Sequence, residues 1–272
     1  MANKDRIQRR KARKERRKEE RRQARESHLD VTKRKHRNHD ENGANNIEKT
    51  HIVVKDFEPL RDIHRDFDMT YFANELTVGV GCAGTGKTFR AVLRALKDVF
   101  NPALPYEKII LIRTTVAVRD DGHLPGTAEE KAAPYERPFM GIVNEICGRD
   151  DAYGILKAKG VIEFHSTSHE QGLTYRNAVI VCDEIQNYTF KELDLITTRR
   201  GKDCKTIAVG DFVQDYVTTR KEKSGLAQWM QIVEVMQDLG YAGIVEFSED
   251  DIVRDEFVKN YIKTRNKLKL AA

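Results

Sequence analysis

Leu76-Thr77-Val78-Gly79-Val80-Gly81-Cys82-Ala83-Gly84-Thr85-Gly86-Lys87-Thr88 runs an apolar stretch straight into a glycine-rich turn that ends in Lys-Thr. The turn fits G-x-x-x-x-G-K-[ST], a spacing that wraps backbone around a chain of phosphates. Glycines let the backbone turn tightly enough for its N–H groups to converge on a β-phosphate. Lys87 then reaches the β- and γ-phosphates, and the Thr88 hydroxyl holds Mg²⁺. Gly81, Cys82, Ala83, Gly84, Thr85, Gly86, Lys87 and Thr88 are therefore the expected phosphate-binding residues, with ATP or GTP as ligand. The flanks fit. Residues 77–80 suit a buried strand, and the following segment sets Val92, Leu93, Leu96, Val99 and Phe100 on one helical face.

Outward from this loop the chain alternates between short apolar runs and helical patterns. Strands are expected at 76–80, 108–113, 161–165, 178–182, 205–209 and 242–247, and helices at 65–74, 87–100, 136–147, 190–199, 225–238 and 254–268. Parallel strands joined by helices lead to an α/β fold with a doubly wound sheet. The 272 residues suffice for one sizeable core with an appendage.

Charge marks the boundary of that appendage. Residues 1–40 hold 17 Lys/Arg against 7 Asp/Glu, a net of +10, while the whole chain is only +5. The remainder is thus mildly acidic. Residues 4–26 are rich in helix formers but have no apolar stripe, so they cannot pack as a core helix. Two readings stay open: a solvated charged tail, or an arm that neutralises nucleic-acid phosphates. Residues 38–49 read as a linker, so residues 1–50 form the tail and linker and 51–272 the expected ATPase domain. Cys82, Cys147, Cys182 and Cys204 are widely spaced without a CxxC pair, which points to buried thiols in a reducing compartment. No apolar run approaches the roughly 20 residues of a membrane span, and no secretory signal follows the basic start. A cytoplasmic protein without a membrane partner is expected.

Two further strands end in chemistry. Ala178-Val179-Ile180-Val181-Cys182-Asp183-Glu184 reads as a buried parallel strand with two carboxylates at its C-terminal end, where open α/β sheets bind ligands. Asp183 would share the Mg²⁺ with Thr88, and Glu184 would orient and deprotonate an attacking water. Ile207-Ala208-Val209-Gly210-Asp211-Phe212-Val213-Gln214 is a third strand end; Gln214 could sense the γ-phosphate, or Gly210-Asp211 could merely supply a turn.

Taken in order, these elements resemble the PhoH family of ATPases, relatives of the superfamily 1 helicase core. The resemblance runs from about Leu76 to Thr264. It covers the Gly-Cys-Ala-Gly-Thr-Gly-Lys-Thr loop, Leu124-Pro125-Gly126 with Pro134-Tyr135-Glu136-Arg137-Pro138, and Asp183-Glu184-Ile185-Gln186-Asn187. It continues through Thr198-Arg199-Arg200-Gly201, Gly210-Asp211-Phe212-Val213-Gln214, Ser224-Gly225-Leu226 and Asp251-Ile252-Val253-Arg254. The resemblance implies a single RecA-like P-loop domain and a Mg²⁺-dependent ATPase. It also implies Lys87, Asp183, Glu184 and Gln214 as catalytic residues, and Arg199 or Arg254 as an arginine acting in its own chain or on a neighbour. A compact single lobe with a charged tail would suit a phage-encoded member.

The chain departs from the family pattern at three places. Gln171-Gly172-Leu173-Thr174 lacks the two arginines of the family's segment there, and Arg113 is followed by Thr114 where Arg-Pro is usual. No glutamine suited to reading an adenine edge occurs between Asp56 and Glu75. The leading expectation is hydrolysis coupled to RNA or single-stranded DNA, bound through the basic tail and the core. Because a single lobe cannot alternately grip and release a strand, this motor would assemble as a homo-oligomeric ring. The competing readings are a nucleotide-dependent switch or scaffold with slow hydrolysis, and a small-molecule kinase, which has no use for the Gly-Asp-x-x-Gln element.

Overall fold

A computed structural model describes residues 51–114, 128–167, 174–211 and 225–268. Its centre is a six-stranded, all-parallel sheet in the order β3-β2-β4-β5-β1-β6. The strands are β1 (Leu76–Gly81), β2 (Lys108–Arg113), β3 (Ile162–Ser166), β4 (Ala178–Asp183), β5 (Cys204–Gly210) and β6 (Ala242–Phe247). The helices are α1 (Asp62–Ala73), α2 (Lys87–Val99), α3 (Ala128–Cys147), α4 (Ala152–Ala158), α5 (Phe190–Thr198), α6 (Leu226–Asp238) and α7 (Glu256–Lys267). The α/β fold with a parallel sheet flanked by helices is the one expected, and all six strands lie within a residue or two of their predicted places.

Strand alternation splits the core into two layers. Ile109 and Leu111, Val179 and Val181, and Ile207 and Val209 face α1, α2, α3 and α4, packing on Phe67, Leu93, Phe139 and Tyr153. Val78 and Val80, Ile110 and Ile112, and Ile180 and Cys182 face α5 and α6, packing on Leu193, Ile196 and Trp229. β4 is buried throughout, as expected of a strand covered on both faces. The four cysteines are buried and free. No helix among the described residues is long and apolar enough to cross a membrane.

Two helices differ from the sequence pattern. α3 begins at Ala128 and carries Pro134 and Pro138 inside it, whereas the prolines argue for a start at 136. Both prolines are exposed, and the Pro134 carbonyl, which Pro138 leaves without an intrahelical donor, belongs to an exposed residue and can be solvated. α4 spans only 7 residues, too few for a period to show, and is held by burial of Tyr153 and Leu156.

The α1–α2 contact rests on a buried ionic triad. Asp68 accepts from Arg90 through both oxygens, with Arg90 Nε at 2.9 Å, and Arg94 Nε lies 2.9 Å from Asp68 Oδ1. Arg90 Nη1 also donates to the Phe57 carbonyl at 2.8 Å, which ties down the strand-like lead-in to α1. Asp68→Ala would leave two buried guanidinium groups without their shared counter-charge, at a cost of roughly 3–5 kcal/mol. Urea denaturation should show that loss, whereas Asp62→Ala, which breaks an exposed pair with Arg65, should leave the midpoint in place.

Candidate functional site

The loop between β1 and α2 is shaped by glycine: Gly84 and Gly86 have φ of +76° and +81°, the left-handed region that side chains avoid. The first N–H groups of α2 have no acceptor within the helix and face outward with the positive end of its dipole, the arrangement that binds phosphate.

The loop is braced from three directions. From α1, buried His64 donates through Nε2 to the Thr85 carbonyl at 2.8 Å, while its Nδ1 accepts the Arg61 backbone N–H at 3.3 Å. Those two contacts together select the Nε2–H tautomer. From the segment after β6, the Val253 N–H donates to the Gly84 carbonyl at 3.0 Å, and the Arg254 side chain lies against Gly84. From α7, Ile262 joins Cys82 and Ile252 in a small apolar cluster, with Asn266 Nδ2 3.8 Å from Cys82 Sγ. Burial, and secondly the charge of Glu249, raise the Cys82 thiol pKa, so it lines the loop as a protonated thiol.

Lys87 is buried and its ammonium is fully engaged. It donates to the carbonyls of Gly81 (3.2 Å) and Cys82 (2.7 Å) and pairs with Asp211 Oδ1 at 2.8 Å. Asp211 follows β5 directly, so the aspartate read as turn chemistry is a partner of the phosphate-binding lysine.

The parallel register brings the other candidates to the same edge. Thr88 Oγ1 donates to Asp183 Oδ1 at 2.7 Å, linking the loop to β4 across the intervening β5. Asp183 is only 4% exposed, and its pKa is pushed up to about 6. Burial is the main cause and the neighbouring Glu184 charge the second, opposed by the Thr88 hydrogen bond and by Arg113. Glu184 has left-handed backbone, φ 57° and ψ 42°, unusual for a side-chain-bearing residue and of the kind found at functional sites. Arg113, at the end of β2, reaches both acids: Nη2 lies 3.3 Å from Glu184 Oε1 and Nη1 lies 3.7 Å from Asp183 Oδ2.

These residues fit a Mg²⁺-nucleotide. A hydroxyl and a carboxylate, both hard oxygen donors, meet at the N-terminus of α2, and a buried ammonium sits beneath the loop. Thr88 and Asp183 would hold the metal, and the loop N–H groups and Lys87 the phosphates.

Not every candidate reaches this edge. Arg199 caps the C-terminus of α5, and its carbonyl accepts the Tyr175 N–H at 3.0 Å, upstream of β4. A helix returning from the C-terminal edge ends at the N-terminal edge, so the Arg199 backbone lies at the edge of the sheet opposite the β1–α2 loop. Arg254, by contrast, lies against the loop. Gln214, with 1–50 and most of the Leu-Pro-Gly segment, lies outside the described residues. His165 pairs with Glu163 at 3.1 Å, and His169 lies outside the described residues. His64, Arg113 and Asp211 were not foreseen as site residues; Arg113 carried a signal as a strand-end arginine within a departure from the family pattern, and Asp211 as a member of the Gly-Asp-x-x-Gln signature.

The chain resembles known proteins over most of its described length. The family model described as PhoH-like protein matches residues 64–265. A PhoH-like protein of Bacillus subtilis is 32% identical over 204 residues, covering 75% of this chain and 62% of the relative. One from Mycobacterium leprae is 33% identical over 191 residues (70% and 53%), and protein PhoH of Escherichia coli K12 is 30% identical over 184 residues (67% and 50%). The chain thus spans about half to three-fifths of the length of these relatives. Among solved structures, the large terminase of bacteriophage HK97 superposes with a TM-score of 0.47 at 12% identity, over 83% of this chain and 52% of that one.

The raised Asp183 pKa has a measurable consequence. Below about pH 6 the carboxyl carries a proton that a cation must displace; above it the carboxylate is ready. Calorimetric affinity for Mg²⁺ in the presence of ATP should weaken by up to about ten-fold per pH unit below that value and level off above it. A flat profile across the same range would remove Asp183 from the metal site.

Proposed function

The chain belongs to the PhoH family, and on that premise we propose that it is a Mg²⁺-dependent ATPase whose hydrolysis is coupled to RNA or single-stranded DNA. The observation that carries the reading is the Thr88–Asp183 hydrogen bond of 2.7 Å. It joins the phosphate loop to the strand whose next residue is a second carboxylate, so phosphate, metal and water positions fall within one small region. Bound Mg²⁺ would neutralise charge on the β- and γ-phosphates.

The chain's own groups divide the remaining work. The loop N–H groups and Lys87 hold and orient the phosphates, which requires Lys87 to exchange Asp211 for a phosphate oxygen. Glu184, one residue past the metal carboxylate, orients a water and takes its proton on a carboxylate oxygen. Arg254, seated on Gly84, supplies positive charge at the loop's outer face, and Gln214 senses the γ-phosphate. Arg199 would act only across a subunit junction, as in a homo-oligomeric ring. The basic residues 1–40 contribute salt-sensitive affinity for nucleic acid, and the site of action is the cytoplasm.

One observation favours the second reading, a nucleotide-dependent switch with slow hydrolysis. The Glu184 carboxylate is engaged by Arg113 and Gln186, and Lys87 by Asp211.

Steady-state ATP turnover at low salt, with and without single-stranded RNA and DNA, separates the two. For the motor, one polymer stimulates turnover, Glu184→Gln lowers it by about 10²–10⁴-fold while ATP still binds, and deletion of residues 1–40 weakens the stimulation. ATP binding with polymer-insensitive, near-background turnover would establish the switch instead.

A further inference from the structure

Both oxygens of the Glu184 carboxylate are held. Arg113 Nη2 donates to Oε1 across 3.3 Å, and the Gln186 amide nitrogen donates to Oε2. The carbonyl oxygen of the same Gln186 side chain accepts the backbone N–H of Asp211 at 3.0 Å. Asp211 in turn pairs with Lys87 at 2.8 Å. A line of polar contacts therefore runs from the end of β4, over the end of β5, to the lysine under the phosphate loop.

The amide orientation is dictated by its two partners. Flipped, its oxygen would face a carboxylate and its NH₂ would face an N–H, so both contacts would turn repulsive. The backbone accommodates the bridge on each side. The left-handed turn at Glu184 brings residue 186 back beside its own carboxylate. Gly210 leaves the space open, because a Cβ there would lie 2.5 Å from Gln186 Oε1. Gln186 is itself half-buried and belongs to neither apolar layer.

We propose that Gln186 is a positioning residue: it ties the water-directing carboxylate of Glu184 to the backbone of Asp211, so that Glu184 and the counter-ion of Lys87 move as one unit. The inference rests on the hydrolytic reading of the site and deepens it. A phosphate that takes Lys87 from Asp211 frees the Asp211 segment, and any displacement of that backbone reaches Glu184 through a single side chain.

The test uses the full chain with Gln186→Met, which keeps the volume and removes donor and acceptor, and Gln186→Leu, which removes both with a different side-chain shape. Both should lower kcat by about 10- to 100-fold, the effect of misplacing a reacting group by roughly an ångström. The Kd for ATP, measured by calorimetry, should stay within about two-fold, since no phosphate contact is removed. Added to Glu184→Ala, Gln186→Met should cost nothing further in turnover, and its shift of the urea midpoint should shrink, because the group it positions is gone. Unchanged kcat, an equal loss in both backgrounds, or a rise in KM alone would overturn the proposal. If the unmodified chain shows no turnover, the hydrolytic reading falls by itself. The denaturation cycle then decides the tie, with additive midpoint shifts overturning it and non-additive ones supporting it.

Discussion

Everything at the candidate site depends on parallel register across four strands. Val80 of β1 lies opposite Gly210 of β5, Val209 of β5 opposite Asp183 of β4, and Asp183 opposite Arg113 of β2. Because parallel strands all end at one edge, residues as far apart in sequence as Lys87 and Asp211 arrive within a few ångströms of one another with no dedicated scaffold. The apolar runs that bury these strands on both faces also hold the register, since a one-residue slip would move every side chain from one packed layer into the other. Core packing and site geometry are therefore one constraint. A change that loosens Val179, Val181 or Ile207 would also move Asp183 and Asp211.

The edge gathers three carboxylates and two cations, and the structure pairs them: Lys87 with Asp211, and Arg113 with Asp183 and Glu184. Asp183 nevertheless resists ionisation, because burial outweighs its partners. Its folded pKa of about 6 exceeds the ordinary 3.8, so between those values the folded chain holds a proton that the unfolded chain releases. Folding stability accordingly falls as pH rises through that window. The pairs around Lys87 and Glu184 act in the same sense: each polar group already has a partner within the chain, so any ligand at this edge would have to displace a contact rather than fill a gap.

What could be read in the sequence follows from how local each signal is. β1, β4 and β5 were legible because a buried parallel strand is a short apolar run, and the loop because its glycine spacing is contiguous. α3 starts eight residues before the expected 136 and holds Pro134 and Pro138 inside it, residues that break a helix more often than they extend one. His64, Arg113 and Asp211 gave little signal: each matters through a partner 21, 70 or 71, and 124 positions away, and no spacing rule reports such a distance. The position of Arg199 was hidden for a related reason. Order along a chain of motifs does not say at which edge of a sheet a residue lies; the direction of α5 does.

The bracing of the phosphate loop carries the argument one step further. Its Thr85 carbonyl is held by His64 from before β1, its Gly84 carbonyl by Val253 from after β6, and its lysine by Asp211 from the middle of the chain. Backbone carbonyls fixed in this way set the conformation of the loop through tertiary contacts. The eight residues of the motif supply the permissive backbone, but three remote segments choose its conformation, and those same segments would register any shift when a ligand pulls on the loop. α7 packs on that loop through Ile262 while exposing Phe257 and Tyr261 on its other side. The phosphate loop is thus mechanically continuous with the protein surface through one helix.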